Sequence, residues 1–293
     1  MADVSVVIAS RAGGTALLDT VAAFVDATAG GAEIVVSECA RDDCAARIRE
    51  RWPAVRLVRL DEGSTIPQLR AAGIRSASSP IVALTSESCV PAPGWFAALR
   101  RAHESRPDAV GGAIENGSAD RLIDWAVFFC EYGRYMTPLP PEPRTDLPGH
   151  NVSYSRGALA AIDDLISRGT WEPLWHWRLA GRGARLVRDG ALVVVLRKRY
   201  TLSGFVRERF DYGRSFASQR VADASAARRA LFTVGCLALP LVVLARILRD
   251  VLPRRRHLLQ LLLALPYLAI FACVWAAGEA LGYAAGASDA DRR

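Results

Sequence analysis

Lysine is almost missing: Lys198 is the one lysine in 293 residues, and arginine carries nearly all the positive charge. The six cysteines, Cys39, Cys44, Cys89, Cys130, Cys236 and Cys273, form no C-x-x-C pair. That excludes a thioredoxin-type redox motif and a zinc ribbon; Cys39 and Cys44 amount to half a metal site with no second half, and scattered reduced thiols are the ordinary reading. No G-x-G-x-x-G follows a strand, which removes the dinucleotide-binding fingerprint. The stretch "ASRAGGTALL" offers Arg11, Gly13 and Gly14, but not the Gly-rich, basic loop arrangement of a nucleotidyltransferase. The opening "MADVSVVIAS" lacks the basic start and long apolar core of a secretory signal and reads directly as a strand.

What is present is apolar and basic. Half of the chain (51%) is hydrophobic and the net charge is +7, which suits one large domain or one domain with an apolar appendage. In the first part, strands and helices alternate. Residues 4–10, 32–38, 55–60 and 80–86 are near-continuous apolar or β-branched runs, and 15–28, 45–52 and 66–77 have helical spacing. Such strands separated by helices predict an α/β fold, a Rossmann-like, mostly parallel sheet with helices on both faces. Ligands of such sheets sit at the carboxyl ends of the strands. Those ends are Ala9-Ser10, Ser37-Glu38 and Ser86-Glu87-Ser88.

Further on, 108–116 reads as a strand, 119–136 as an aromatic-rich helix and 137–150 as a proline-rich loop of the length that is usually functional. Residues 197–229 carry nine Lys or Arg against three acids. Two apolar blocks follow, 230–245 and 258–278, separated by the basic "RILRDVLPRRRH". The second is long enough to span a bilayer and the first is marginal; each holds a proline that a membrane helix tolerates. Arginine lies on both sides of the first block, which favours a re-entrant or interfacial element over a two-span hairpin. The basic charge beside apolar blocks points to anionic lipid and not to nucleic acid. The expected layout is a domain at 1–200, a basic amphipathic segment at 201–229, two hydrophobic membrane helices at 230–280 and a polar tail at 281–293.

Four segments stand in a telling order: "SVVIASR", "EIVVSECARDD", "PIVALTSESCVPAPGWFAAL", and "LPGHNVSYSR" followed by "TWEPLWHW". Over residues 1–220 this order and spacing resembles the family 2 glycosyltransferases of the GT-A fold, with "LPGHNVSYSR" and the downstream Trp-Glu as the most specific part. The resemblance implies transfer of a sugar from a nucleotide-diphospho-sugar to a hydroxyl of a lipid-linked or saccharide acceptor, with inversion. It implies Glu172 as general base, deprotonating the acceptor. Ala9, Ser10, Arg11, Glu38, Arg70, Ser86, Glu87 and Ser88 would bind the donor, Arg70 pairing with phosphate. His150, Asn151, Ser153, Tyr154 and Trp171 would line the sugar and acceptor pocket. The segment 205–220 resembles the amphipathic element that follows the catalytic domain in membrane-associated members, with Arg209 and Arg214 as a phosphate clamp or as anchors to anionic lipid. The implied location is the cytoplasmic membrane, catalytic domain in the cytosol.

The chain departs from the family at its metal motif. Where Asp-x-Asp is expected it has Ser86-Glu87-Ser88, and no histidine occurs between 178 and 256. Three accounts stay open: Mg²⁺ or Mn²⁺ held by Glu87 with diphosphate and water, arginines replacing the metal, or a catalytically inert, membrane-tethered nucleotide-sugar-binding or scaffold protein.

Overall fold

The computed structural model describes residues 2–139, 146–222 and 224–285. Part of the proline-rich loop (140–145) and most of the predicted polar tail (286–293) lie outside the described residues. The chain divides into two compact units: Met1–Gly117 with Thr137–Arg197, and Ser118–Met136 with Lys198–Arg293. The sequence placed a boundary at 200. The aromatic-rich stretch expected inside the first domain instead belongs to the second unit.

Along the first unit run β1 (Val4–Ser10), α1 (Gly14–Thr28), β2 (Glu33–Glu38), α2 (Cys44–Arg51), β3 (Arg56–Arg59), α3 (Ile66–Ser76), β4 (Ile81–Ser86), β5 (Cys89–Pro91), α4 (Trp95–Glu104) and β6 (Ala109–Asn116). The chain leaves for α5 (Leu122–Glu131) in the second unit, then returns as β7 (Val152–Ser155), α6 (Arg156–Ala160), α7 (Asp163–Ser167), α8 (Glu172–Gly181) and β8 (Leu186–Leu196). The eight strands form one sheet in the order β3-β2-β1-β4-β7-β6-β8-β5. β1 is buried along its whole length between parallel β2 and β4, as a continuous apolar strand requires. The sheet is mixed: β1 with β2, β1 with β4, β2 with β3 and β6 with β8 pair in parallel. β7 runs antiparallel to both β4 and β6, and β5 antiparallel to β8.

α3 shows why the sequence folds as it does. Thr65 and Gln68 make a capping box, Gln68 N–H to Thr65 Oγ1 at 3.3 Å and Thr65 N–H to Gln68 Oε1 at 2.8 Å, with Pro67 in the first turn. Gly73 lets α3 ride close on β1: a Cβ there would stand 2.3 Å from Val7 Cγ1. Val7, Val35, Ile74, Leu84, Tyr154 and Trp175 share one core, and each such side chain contributes about 1.5–3 kcal/mol by leaving water.

The second unit holds α5, a 3₁₀ turn (Gly133–Tyr135), α9 (Leu202–Arg220), α10 (Ala226–Gly235), α11 (Leu239–Val251) and α12 (Leu258–Ala285). Of the two apolar blocks, only α12 is a single helix long and apolar enough to cross a membrane; α10 and α11 are bent by 62° where they meet.

His103 lies within the first unit, on α4, buried with its Nε2 at 2.7 Å from the Ser153 hydroxyl. Burial pushes its imidazole down to about 4 from an ordinary 6.5. Between those values the unfolded chain takes up a proton that the folded chain refuses, so stability is full above the window and falls as pH drops through it. The loss reaches at most about 3 kcal/mol. Denaturant melts at pH 7 and pH 5 are expected to show a smaller acid loss for His103→Gln than for the parent; equal losses would contradict a neutral buried imidazole.

Candidate active site

The carboxyl ends of β1, β2 and β4 lie side by side, Ala9 against both Ser37 and Ser86. Ala9 and Ser10 are fully buried, whereas Arg11 is exposed. The β1–α1 loop is a run of backbone donors, Gly13 and Gly14 both at positive φ, and two carboxylates fill it. Glu87 Oε2 accepts the Ser10 hydroxyl and the N–H groups of Ala12 (3.0 Å) and Gly13 (3.3 Å). Asp42 accepts from Gly14 N–H at 2.6 Å and from Cys44 N–H at 3.1 Å. Burial opposes ionisation of Asp42, but the Cys44 thiol and these N–H groups outweigh it and hold the carboxyl below its usual range. Burial and the same carboxylate push the Cys44 thiol up to about 11, and burial also raises Cys39. Both are thiols at neutral pH. Asp42 is not among the residues the motifs single out; its sequence signal is a Gly-Gly pair starting a helix beside an acidic strand end.

Glu87 therefore does not fit the metal role. It is the one carboxylate of the Ser86-Glu87-Ser88 segment, and one of its oxygens is saturated by three donors from its own chain. Among the described residues no group of three or more His, Cys, Asp or Glu is placed to hold an ion. Ser86 and Ser88 are buried, and Ser86 Oγ lies 2.8 Å from His150 Nδ1. Glu38, also buried, accepts Ala40 N–H at 2.8 Å through Oε2 and faces Arg59 Nε at 3.6 Å through Oε1. That Oε1 has no hydrogen-bond donor.

Two residues assigned separate tasks meet. Arg70 (1% exposed) and Glu172 (3% exposed) form an ion pair through Nη1 and Oε1. Arg70 Nη2 also donates to the Gly149 carbonyl at 2.7 Å, and its Nε has no partner. Arg70 comes from the second turn of α3. Glu172 opens α8, where the helix dipole favours a negative charge. Gly149 completes the arrangement: a Cβ there would stand 3.0 Å from Glu172 Oε2 and 3.1 Å from Arg70 Nη1. Trp171, half-buried, precedes Glu172; Trp175 is buried and bonds Thr170, while Trp177 is exposed.

Three residues expected in the sugar pocket are instead core. Asn151 donates to the carbonyls of Ala113 and Leu192, both at 2.8 Å, and accepts from Trp95 Nε1 at 3.0 Å. Its amide is thereby spent on joining strands. Ser153 is buried against His103, and Tyr154 is buried with its hydroxyl 2.7 Å from His176 Nε2. β7 is an interior strand between β4 and β6, and its Val152, Ser153 and Tyr154 are buried. The clamp assignment of Arg209 also fails within its own unit. Arg209 is buried, bonds Glu131 at 2.5 Å and stacks 3.9 Å over Trp275, so its charge is already matched. Arg214 is exposed.

No protein-family model matches the sequence, and comparison with curated proteins finds no match either. Among solved structures the chain is similar to the mannosyltransferase PcManGT from Pyrobaculum calidifontis, in complex with GDP-Man and Mn²⁺, at a TM-score of 0.59 and 17% identity, covering 95% of this chain and 86% of that one. The chain thus shares the fold of that mannosyltransferase, with a mixed α/β sheet, helices and one C-terminal apolar helix.

A buried pair is costly to break one side at a time, because the survivor is left charged and dry. Arg70→Met and Glu172→Met are each expected to destabilise by about 3 kcal/mol, and the double variant to recover most of that loss. Urea unfolding checks it; two silent single variants would mean that the pair does not form in solution.

Proposed function

We propose that the chain is a membrane-associated, inverting, family 2-like glycosyltransferase. It moves a sugar from a nucleotide-diphospho-sugar to a hydroxyl of a lipid-linked or saccharide acceptor. The observation that carries this reading is the buried Arg70–Glu172 pair beneath Gly149, on a fold shared with a mannosyltransferase. An ion pair in a core is weak evidence for stability alone; here both members are residues that the family resemblance assigns to donor and acceptor.

Each member has a task. The donor lies along the ends of β1, β2 and β4, where Glu38 Oε1 lacks a donor that a nucleoside would supply. Its diphosphate offers Arg70 a second anion, bound in the bidentate manner guanidinium favours. Arg70 then leaves Glu172, and the freed carboxylate takes the proton of the acceptor hydroxyl. The hydroxyl oxygen bonds to the anomeric carbon while the bond from that carbon to the diphosphate oxygen breaks. The nucleoside diphosphate leaves with the electron pair, its charge met by Arg70 and Arg11. No step runs through Mg²⁺ or Mn²⁺, because Glu87 is turned into the β1–α1 loop. The second unit associates with the cytosolic face of the membrane, which suits a lipid-linked acceptor.

The alternative is an inert, membrane-tethered nucleotide-sugar-binding protein, favoured by the same orientation of Glu87. A panel of UDP-, GDP- and dTDP-sugars with detergent-solubilised protein, in Mn²⁺, Mg²⁺ or EDTA, separates the two. Donor binding with sugar release that survives EDTA is expected. Release that vanishes with EDTA would overturn the arginine-based mechanism, and binding with no release by the parent would favour the inert reading. Glu172→Gln, whose amide oxygen still accepts from Arg70, is expected to bind donor normally and to lose at least about 100-fold in turnover.

A further inference from the structure

We infer that α12 does not cross the bilayer: the second unit lies in one leaflet, with both ends of its apolar hairpin on the side from which the rest of the chain enters. The inference rests on the membrane association proposed above and goes beyond it to the topology.

α12 has 28 residues, about 42 Å of helix, and the composition of a span. What grips its two ends decides the matter. At the amino end, Arg254 donates to the carbonyls of Arg134 (2.7 Å) and Met136 (2.8 Å), and the His257 ring lies 4.4 Å from that of Trp125. These partners sit in Ser118–Met136, a segment whose chain neighbours Gly117 and Thr137 both belong to the first unit. Crossing and returning takes about 40 helical residues, so this segment cannot reach a far leaflet surface, and neither can the Arg254 end of α12. At the carboxyl end, the Tyr283 hydroxyl accepts from Arg220 and the Tyr283 carbonyl from Arg229, both at 3.0 Å. Arg220 ends α9, which carries Arg207, Glu208, Arg209, Asp211 and Arg214 along its length. Charges of that density do not enter hydrocarbon.

α9 also runs beside the second half of α12 at backbone contact. Gly278 and Gly282 permit it, since a Cβ on either would stand 2.3 Å from a carbonyl oxygen of α9, that of Phe210 or Arg214. Phe205 meets Phe271 with ring centroids 4.6 Å apart. A spanning α12 would drag this charged neighbour into the membrane. Elsewhere the second unit is bare: Leu231 on α10, Leu237 in the turn after it, Leu241 on α11, and Leu259, Leu262 and Ile270 on α12 are exposed. Arg228, Arg246, Arg249 and Arg255 of the same segments are exposed as well. Exposed leucines together with arginines fit the acyl region and anionic headgroups of a single leaflet. The 62° bend between α10 and α11 keeps that pair from forming a straight span.

The test uses the full chain produced in a bacterial host, with the exposed Cys273 replaced by serine, the chain without an added cysteine as the blank, and reporter cysteines introduced one at a time at Asp26→Cys in the first unit, Arg255→Cys and Ala285→Cys, probed with a membrane-impermeant maleimide. None of the three is expected to label in intact spheroplasts, and all three are expected to label after lysis. Labelling of Arg255→Cys or Ala285→Cys in intact cells, with Asp26→Cys protected, would overturn the one-sided topology while leaving membrane association standing. Sedimentation of purified protein with anionic lipid vesicles tests the reading beneath it. Binding is expected, weakened at least about tenfold by Leu237→Glu with Leu241→Glu; no binding by the parent would overturn both.

Discussion

One guanidinium and one carboxylate, both almost out of reach of water, set the geometry on which the first unit depends. Arg70 and Glu172 come from helices far apart in the chain and can be buried only together, because either charge alone in that place would be prohibitive. The surrounding features serve that contact. The capping box fixes where α3 begins, Gly73 seats it on β1, and the opening of α8 presents Glu172 at a favourable dipole end. Gly149 brings a carbonyl to the guanidinium without a side chain in the way. Hydrophobic burial supplies the bulk of the stability, but it does not by itself choose where these helices meet.

The parts legible in the sequence are those with a one-dimensional signature. Continuous apolar runs gave β1, β2 and β4 nearly to the residue, since a strand covered on both faces needs apolar side chains on both. The proximity of Arg70 and Glu172 was not legible: each was assigned a partner in the substrate, and nothing in their spacing of about a hundred positions says they touch. The polar residues of "HNVSYSR" suggest a pocket wall. In the folded chain Asn151, Ser153 and Tyr154 are consumed by carbonyls, an indole and two imidazoles. A polar side chain on an interior strand must find partners inside the protein, and sequence does not reveal whether it has. Glu87 misled in the same way, as a carboxylate in a metal-motif position that bonds its own β1–α1 loop.

The arginines of the second unit illustrate how little composition says about availability. Arg209 is neutralised by Glu131 and covered by Trp275, Arg254 and Arg229 are committed to carbonyls, and Arg214 faces outward. A basic stretch read as one electrostatic surface is in part a set of helix-end clasps. Those clasps turn an apolar hairpin into a packed body with one bare face, which the sequence could indicate only as two blocks of hydrophobic residues.

The most direct test of the central claim is the structure of the chain with a nucleoside diphosphate bound. If Arg70 and Glu172 form a latch that the donor opens, the guanidinium will be found on the diphosphate, with Glu172 separated from it by more than about 4 Å, beyond ion-pair range. An intact Arg70–Glu172 pair in a nucleotide-bound protein that still turns over donor would contradict it, and would leave the pair a purely structural clasp.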